Sequence, residues 1–314
     1  MGVMIRSFPP HLTLSPRGEG RPFIPPAELG GILAYFDKTK NILKDIKMEI
    51  DKKKCVGCGN CHAVCTMGVI YLDEDGKSVV NQDECVECFT CYRVLRNEGY
   101  PPWFVRAIRK ILPLFRLGYL AEVDVCPTGA LTPPELDWPR SLRAVFSDPT
   151  TVHPGTGVMG RGTDEIKTND VTGRLRKGDA GLVIEMGRPG IGAYFRDIEK
   201  VTTALAKLKP HFEKDNPVTQ LMVDTETGKM REDVLNEKVL SAIIEIKTKL
   251  ERIPEFLQTL EKIQKEIDTV ISVGVASKCL PEGTIPHEEW VRKAGYILSA
   301  NGKTNIGLGR PLFK

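Results

Sequence analysis

The pattern of apolar and polar positions in the last part of the chain predicts strands that alternate with helices. Leu182–Met186 and Thr219–Val223 are short apolar runs, which is typical of strands. Thr269–Ala276 is a third run, with the length of a buried strand. The apolar spacing from Tyr194 to Leu208 predicts a helix after the first strand. We therefore expect an α/β domain over residues 179–314.

A longer apolar pattern, between the second and third of these strands, predicts a long helical pair. Its apolar residues step by threes and fours and form a heptad-like seam, composed of Val239, Ile243, Ile246, Leu250, Ile253, Leu257, Leu260 and Ile267. Pro254 removes a backbone donor, so we expect it to kink the helix or to divide it into two. The helices over residues 239–267 then either pack on the sheet or join two copies of the chain in a homodimer.

Two other stretches are rich in proline and glycine and show no apolar periodicity. Residues 1–47 begin with one of them, and we expect a flexible N-terminal extension, with the functional chain beginning near Met48. Residues 137–178 contain the second, which we interpret as a connector that wraps or links domains. The cysteine-rich region lies between the two stretches.

Composition and charge exclude some classes of function. Of the 314 residues, 44 are Lys or Arg and 41 are Asp or Glu, which gives a net charge of +3. Because this charge is nearly balanced, it gives no reason to expect nucleic acid as a partner. No apolar run approaches the length of about 20 residues that a membrane span needs. Residues 1–26 also lack the apolar core of a secretory signal, so we expect a cytoplasmic protein.

Cysteine is the most informative residue type. Eight of the nine cysteines lie between Cys55 and Cys126, and closely spaced thiols in a cytosolic chain indicate metal binding. Their spacing is Cys55-x-x-Cys58-x-x-Cys61-x-x-x-Cys65, then Cys85-x-x-Cys88-x-x-Cys91, then Cys126 followed by proline. Gly57 and Gly59 allow the backbone to approach a cofactor closely. Interleaved triplets of this kind favour iron–sulfur clusters over zinc, whose sites use pairs of Cys-x-x-Cys.

These motifs resemble those of the bacterial-type two-cluster ferredoxins, and the resemblance covers about residues 48–136. In that family the fourth cysteine of each motif ligates the other cluster. The resemblance therefore implies two [4Fe-4S] clusters, with cluster 1 held by Cys55, Cys58, Cys61 and Cys126, and cluster 2 held by Cys85, Cys88, Cys91 and Cys65. It also implies one-electron transfer and a redox partner protein.

One departure from the family is an insertion over residues 92–125. Between Cys91 and Cys126 there are 34 residues, where the compact motif has three. The insertion predicts an amphipathic helix whose apolar face carries Phe104, Ile108, Ile111, Leu112 and Phe115, and whose basic face carries Arg106, Arg109 and Lys110. There are two alternatives for this helix. It could be an element that docks on a redox partner or on an anionic surface. It could instead cover the C-terminal domain with its apolar face and keep its basic face in solvent. We favour the cover.

A glycine-rich loop after the first C-terminal strand is the other candidate site. Gly187, Arg188, Gly190 and Gly192 precede the predicted helix, where backbone amides and the guanidinium could hold a phosphate or carboxylate. The alternative is a turn that uses glycine for its backbone freedom, and we favour the turn.

The predicted fold class is α+β, with a ferredoxin-like two-cluster domain that carries a helical insertion, followed by an α/β domain with a long helical pair. We predict an iron–sulfur electron-transfer subunit or adaptor that serves a partner oxidoreductase. The alternative is a self-contained iron–sulfur oxidoreductase with a small-molecule or anion site in the C-terminal domain. The first is favoured because the C-terminal sequence shows no acid–base pair, nucleophile constellation or flavin motif.

Overall fold

The computed structural model describes residues 48–117, 124–132, 135–160 and 173–298, together with the backbone of residues 303–306. The predicted N-terminal extension, residues 1–47, lies outside the described residues. Among the described helices, none is long and apolar enough to cross a membrane.

The cysteine-rich region is built from short strands and one-turn helices. The strands are β1 (Glu49–Ile50), β2 (Ile70–Leu72), β3 (Ser78–Val80), β4 (Arg96–Asn97), β5 (Val125–Cys126) and β6 (Leu131–Thr132). The helices are α1 (Asn60–Val64), α2 (Thr90–Val94) and α3 (Pro102–Ile111), and α3 is followed by a 3-10 turn at Leu112–Phe115. Strand β2 forms an antiparallel hairpin with β3, and β1 pairs antiparallel with β6.

Strands β4 and β5 form a parallel pair that closes the insertion at its base. Arg96 is paired with Val125, and Asn97 with Cys126. Glycine is required beside this pair, because a Cβ atom on Gly129 would lie 2.2 Å from the side chain of Asn97. The chain therefore leaves and re-enters the cysteine-rich region at neighbouring points, with α3 in the excursion between them.

The core of the cysteine-rich region is small and consists largely of thiols. Met48, Ile70 and Leu95 are its buried apolar side chains, and the buried cysteines packed with them are Cys61, Cys85 and Cys91. Since a core of this size gives little stability alone, the region depends on whatever the cysteines bind.

A helix lies within the proline- and glycine-rich segment that follows. This is α4 (Ser141–Ser147), whose residues Leu142 and Phe146 are buried in the core of the C-terminal domain. The ring of Phe146 meets that of Phe195 edge to face, with the centroids 5.4 Å apart. The first part of the predicted connector thus belongs to the packed core, because its apolar residues recur at helical spacing between the prolines.

The C-terminal domain is a five-stranded sheet whose main core is shared with helices packed against it. Its elements are β7 (Asp179–Met186), β8 (Ala193–Tyr194), α5 (Phe195–Ala206), β9 (His211–Phe212), β10 (Met222–Asp224), β11 (Lys229–Met230), β12 (Lys238–Val239), β13 (Ala242–Lys249), α6 (Ile253–Ile263), β14 (Ile271–Ser277), α7 (Pro286–Lys293) and β15 (Lys303–Ile306). Three further 3-10 turns lie at Thr219–Leu221, Glu232–Val234 and Leu250–Arg252. The predicted helix at Tyr194–Leu208 and the predicted strands at Leu182–Met186 and Thr269–Ala276 are confirmed.

The sheet is antiparallel throughout, with the strand order β15-β14-β7-β13-β9. The series β7-α5-β9-β13-α6-β14 is a β-α-β-β-α-β unit of the split βαβ type. The expectation of an α/β domain is therefore wrong in detail, because every neighbouring pair of strands runs in opposite directions. The predicted strand at Thr219–Val223 is also shifted, since a 3-10 turn occupies its first half and β10 its second.

The predicted helical seam over residues 239–267 is wrong in its first half. Residues 242–249 form strand β13, which pairs with β7 on one side and with β9 on the other. Most of β13 is buried, and β-branched residues buried on two faces of a sheet also supply apolar positions at intervals of three and four. Pro254 lies in the first turn of α6, where proline begins a helix and does not bend it.

The loss of this seam removes the reason for the predicted homodimer. Ile246 and Leu257 are fully buried within the domain itself. Exposing one such side chain to form a seam with a second copy would cost about 2 kcal/mol. The apolar residues that were assigned to the seam are therefore part of the core of the domain.

Candidate metal centre

Four thiols converge on a cavity at one end of the cysteine-rich region. This first cavity is lined by Cys55, Cys58, Cys61 and Cys126, with Ile50 and Leu95 among the apolar side chains between them. Cys126 reaches the cavity because β5 pairs with β4 and so returns the chain after the insertion. The empty space measures about 320 Å³ with its open mouth included.

A second cavity gathers the other four thiols of the motifs. It is lined by Cys65, Cys85, Cys88 and Cys91, with Met48, Ile70 and Phe89 among its apolar side chains, and it measures about 360 Å³ including its mouth. The structure thus brings together the same two sets of four cysteines that the ferredoxin resemblance implied, and four thiolates are the donor set of a cubane.

Backbone amides point at the sulfur atoms of both cavities. In the first, the amides of Gly57 and Ser78 each lie 3.4 Å from the sulfur of Cys55. The amide of Ala130 lies 3.3 Å from the sulfur of Cys126. In the second, the amide of Val69 lies 3.4 Å from the sulfur of Cys65. Val69 follows Cys65, and Ala130 follows Cys126, by four positions, so the fourth cysteines of the two motifs accept the same contact. Such contacts tune the potential of a cluster.

The loops that carry the cysteines turn through left-handed backbone conformations. In the first motif these positions are Gly57 and Gly59, with φ of 65° and 84°. A Cβ atom on Gly57 would lie 2.1 Å from the carbonyl oxygen of Gly76, so glycine is required there. In the second motif the corresponding positions are Glu87 and Phe89, with φ of 52° and 54°. The second motif therefore follows the same backbone path as the first, although it has no glycine at these two positions.

Burial favours the protonated form of four of these thiols in the metal-free chain. It raises the pKa of Cys61 to about 11 and the pKa of Cys85 and Cys91 to about 12. It also raises the pKa of Cys58. Because metals bind thiolates, the uptake of iron must release these protons.

The loop before the second cavity is bound to the C-terminal domain by two buried arginines. Arg143 donates to the carbonyl oxygens of Gln82, Asp83 and Cys85 at 3.1, 3.0 and 2.7 Å, and it forms an ion pair with Glu237. Arg140 forms an ion pair with Glu87, which lines the second cavity and is 1% exposed. The sequence carried one signal for this pair, two arginines three positions apart, one just before and one within a helix whose other residues are mostly apolar.

A third polar contact reinforces the same junction. Glu84 forms an ion pair with Lys238 and accepts a hydrogen bond of 2.8 Å from the hydroxyl of Tyr194. Partial burial acts to raise the pKa of this carboxyl, but the bonds from Lys238 and Tyr194 outweigh it and hold the pKa below its usual value. The second cavity therefore lies against the C-terminal domain.

At the glycine-rich loop, groups that were predicted to bind an anion make contacts within the protein instead. The amide of Gly187 donates to Val270, and the amides of Ile191 and Gly192 donate back to the carbonyl of Gly187. Arg188 lies 3.4 Å from the carboxylate of Glu185. The first amides of α5, those of Phe195 and Arg196, donate to the carbonyls of Glu237 and Leu235. These contacts are those of a structural turn, and they give the anion-site prediction no support.

The same loop packs against the second cavity. A Cβ atom on Gly190 would lie 3.3 Å from the carbonyl oxygen of Thr66, and one on Gly192 would lie 3.0 Å from the Met67 side chain. Thr66 and Met67 both line the second cavity. The glycines of this loop therefore allow the C-terminal domain to approach the cysteine loop closely.

The insertion helix α3 has the opposite orientation to the one we favoured. Arg106 donates to the carbonyls of Lys53 and Cys55 at 2.7 and 3.3 Å, and Arg109 donates to that of Val56. The basic face thus contacts the loop of the first cavity. On the apolar face, Phe104, Ile111 and Phe115 are 42%, 50% and 70% exposed. The expectation that this face covers the C-terminal domain is wrong, because the irregular loop has free carbonyls that the guanidinium groups satisfy.

Comparison with known proteins identifies the cysteine-rich region. A family model described as a 4Fe-4S dicluster domain matches residues 47–94. The sequence is similar to the B subunit of polysulfide reductase from Wolinella succinogenes, with 32% identity over 115 residues, 33% of this chain and 59% of that protein. It is similar to a ferredoxin of Pyrobaculum islandicum, with 38% identity over 48 residues, 15% of this chain and 45% of the ferredoxin.

A third relative is the iron–sulfur subunit of L-aspartate semialdehyde sulfurtransferase from Methanocaldococcus jannaschii. The identity is 39% over 52 residues, 17% of this chain and 38% of that subunit. The chain spans less than two thirds of the length of each of these relatives. No solved structure matches the chain significantly. With its cysteine motifs and the matched family model, the region at residues 47–94 is a ferredoxin-type iron–sulfur domain.

Proposed function

We propose that the chain carries two [4Fe-4S] clusters with crossed ligation. Cys55, Cys58, Cys61 and Cys126 hold the cluster of the first cavity, and Cys65, Cys85, Cys88 and Cys91 hold the cluster of the second. The observation that carries the proposal is the convergence of four thiols, the donor set of a cubane, on each of two cavities. The amides directed at the sulfurs of Cys55, Cys65 and Cys126 support it.

The function that follows is one-electron transfer by a subunit or adaptor that serves a partner oxidoreductase. A [4Fe-4S] cluster, when bound, supplies a centre that accepts or gives up one electron. The residues of the chain ligate the cluster, keep water away from it and set its potential through amide contacts and nearby charges. Two of the relatives carry names that make them components of a reductase and of a sulfurtransferase, and this supports a protein partner here. We expect the protein to work in the cytoplasm.

The test is the iron and acid-labile sulfide content of the full chain purified without oxygen, together with low-temperature electron paramagnetic resonance (EPR). Two cubanes give about eight iron and eight sulfide per chain and a spectrum of two interacting centres on reduction. A content of about four would mean that one cavity holds no cluster. A preparation without iron that binds only zinc would refute the electron-transfer function.

A further inference from the structure

A ridge of exposed apolar side chains lies on the insertion. We call it the apolar ridge, and its residues are Trp103, Phe104, Ile111, Leu114, Phe115 and Leu117. Between 42% and 80% of each side chain is exposed, with Leu114 at the upper limit. Six large apolar side chains exposed within fifteen residues are a concentration of the kind that marks an interaction site.

The apolar ridge is held next to the first cavity and away from the second. Arg106 and Arg109 attach α3 to the carbonyls of Cys55 and Val56, and both of these residues line the first cavity. The second cavity instead lies against the C-terminal domain, through Arg140 and Arg143. The first cavity therefore adjoins α3, and the second adjoins the C-terminal domain. The side of α3 that faces outwards is apolar.

The segment that carries the ridge has charges of one sign. Residues 99–117 include Arg106, Arg109, Lys110 and Arg116 and contain no Asp or Glu. Lys110 and Arg116 are exposed, as are Lys53 and Lys54 in the adjoining loop of the first cavity. These four cations form a basic rim, and a partner surface with carboxylates around an apolar centre complements it.

We infer that the apolar ridge is the docking surface for a redox protein that exchanges electrons through the first cavity. This inference rests on the proposed electron-transfer function. The partner has an apolar contact face surrounded by acidic residues, and it holds a one-electron cofactor close to that face. In one exchange the partner loses one electron and the centre of the first cavity gains it, or the reverse, and no bond is made or broken.

A lipid surface fits the ridge less well than a protein does. An amphipathic helix that lies on a membrane directs its arginines to the lipid headgroups. Here Arg106 and Arg109 are bonded to the loop of the first cavity, so only the exposed cations of the rim remain for headgroups. The position of the ridge beside a proposed electron-transfer centre is explained by a redox partner and has no explanation in membrane attachment.

The test begins with site-specific photocrosslinking in cells that produce the full chain. A photoreactive phenylalanine analogue replaces Leu114, and a matched control replaces Val223, which is 71% exposed on β10 of the C-terminal domain. The expected result is a protein that crosslinks from position 114 and not from position 223, and that contains a flavin, haem or iron–sulfur cofactor. Crosslinks to phospholipid, to a second copy, to residues 1–47, or to nothing beyond the control would each overturn the inference.

The second step asks whether the captured protein uses the ridge to exchange electrons. The double variant Leu114→Ser with Phe115→Ser is expected to slow exchange with the purified partner about tenfold or more, as hot-spot residues do. Val223→Ser is expected to leave the rate unchanged, and both variants are expected to keep the iron content of the wild type. An unchanged rate in the double variant would refute the docking surface. A chain without clusters would instead refute the proposed function, while its crosslinks at position 114 would still report what binds the ridge.

Discussion

The guanidinium of Arg143 donates a 2.7 Å hydrogen bond to the carbonyl oxygen of Cys85. Arg143 belongs to α4, whereas Cys85 is a proposed cluster ligand, so this bond joins the core of the C-terminal domain directly to the second cavity. The same arginine is paired with Glu237, and both side chains are nearly buried. Because the group is charged, we expect charge at this junction to affect the potential of the centre proposed for the second cavity.

Substitution of Arg143 tests this coupling. We expect Arg143→Gln to lower the free energy of unfolding by about 3 kcal/mol, because it leaves the carboxylate of Glu237 buried without a counter-charge. The double variant with Glu237→Gln should recover part of the loss, and chemical denaturation followed by circular dichroism measures both. Equal losses in the two variants would mean that the ion pair is not the source of the effect.

The same Arg143→Gln variant should lower the potential of one centre only. A nearby positive charge favours the reduced cluster, so its removal is expected to shift one midpoint by on the order of 50 mV, measured by EPR redox titration. Arg292→Gln is a suitable control because that side chain is exposed on α7. A shift of both midpoints, or of neither, would contradict the separate environments of the two cavities.

Crossed ligation predicts which cysteine variants resemble each other. Cys61→Ser and Cys126→Ser should give the same residual spectrum with about four irons per chain, since both residues line the first cavity. Cys65→Ser should instead match Cys91→Ser, although Cys65 belongs to the first sequence motif. If Cys65→Ser matches Cys61→Ser in EPR and iron content, each motif binds its own cluster and the proposed pairing is wrong.

Two glycines of the first motif form a matched pair for substitution. Gly57→Ala should prevent the first cavity from loading, because its Cβ would meet the carbonyl oxygen of Gly76 at 2.1 Å. Gly59→Ala adds only the cost of a left-handed backbone, about 1 kcal/mol, since nothing lies within 4 Å of its Cβ. Iron content and thermal unfolding distinguish the two outcomes, and equal iron content would show that the loop moves to admit the methyl group.

Removal of iron should unfold one part of the molecule and spare the other. The core of the cysteine-rich region consists largely of thiols, whereas β7 is buried along its whole length. After treatment with an iron chelator, amides in the β2–β3 hairpin should exchange within seconds, and those of β7 should stay protected. Hydrogen exchange with mass spectrometry measures both, and protection that persists in the hairpin would contradict the prediction.

Much of the cysteine-rich region followed from the sequence because its motifs are local. The predicted sets of four cysteines meet at two cavities, and the β2–β3 hairpin lies between the two motifs. Spacing determines such loops because a short chain can bring three thiols to one point in few ways. Cys126 was assigned to the first set across a long insertion because proline follows it, as in the ferredoxin motif. In the structure its position depends on the pairing of Asn97 with Cys126.

The wrong predictions share a different cause. A pattern of apolar and polar residues identifies the faces of a helix or strand, but it does not say which part of the protein packs against each face. The apolar residues of 242–249 matched a helical seam because both faces of β13 are buried. The two faces of α3 were identified correctly, but the contacts of Arg106 with distant carbonyls reversed their orientation. Arg140 and Arg143 were missed for the same reason, since their partners lie more than fifty positions away in the chain.

The parallel pairing of β4 with β5 separates the proposed partner-binding surface of the insertion from the cysteines that would bind the clusters. Because the insertion enters and leaves at adjacent strands, its outer residues can change without moving Cys126 relative to Cys55. A different apolar ridge on a helix that keeps Arg106 and Arg109 would then give the same proposed electron carrier a different partner. Because the base of the insertion is closed, the choice of partner can evolve or be engineered while the two cysteine cavities stay unchanged.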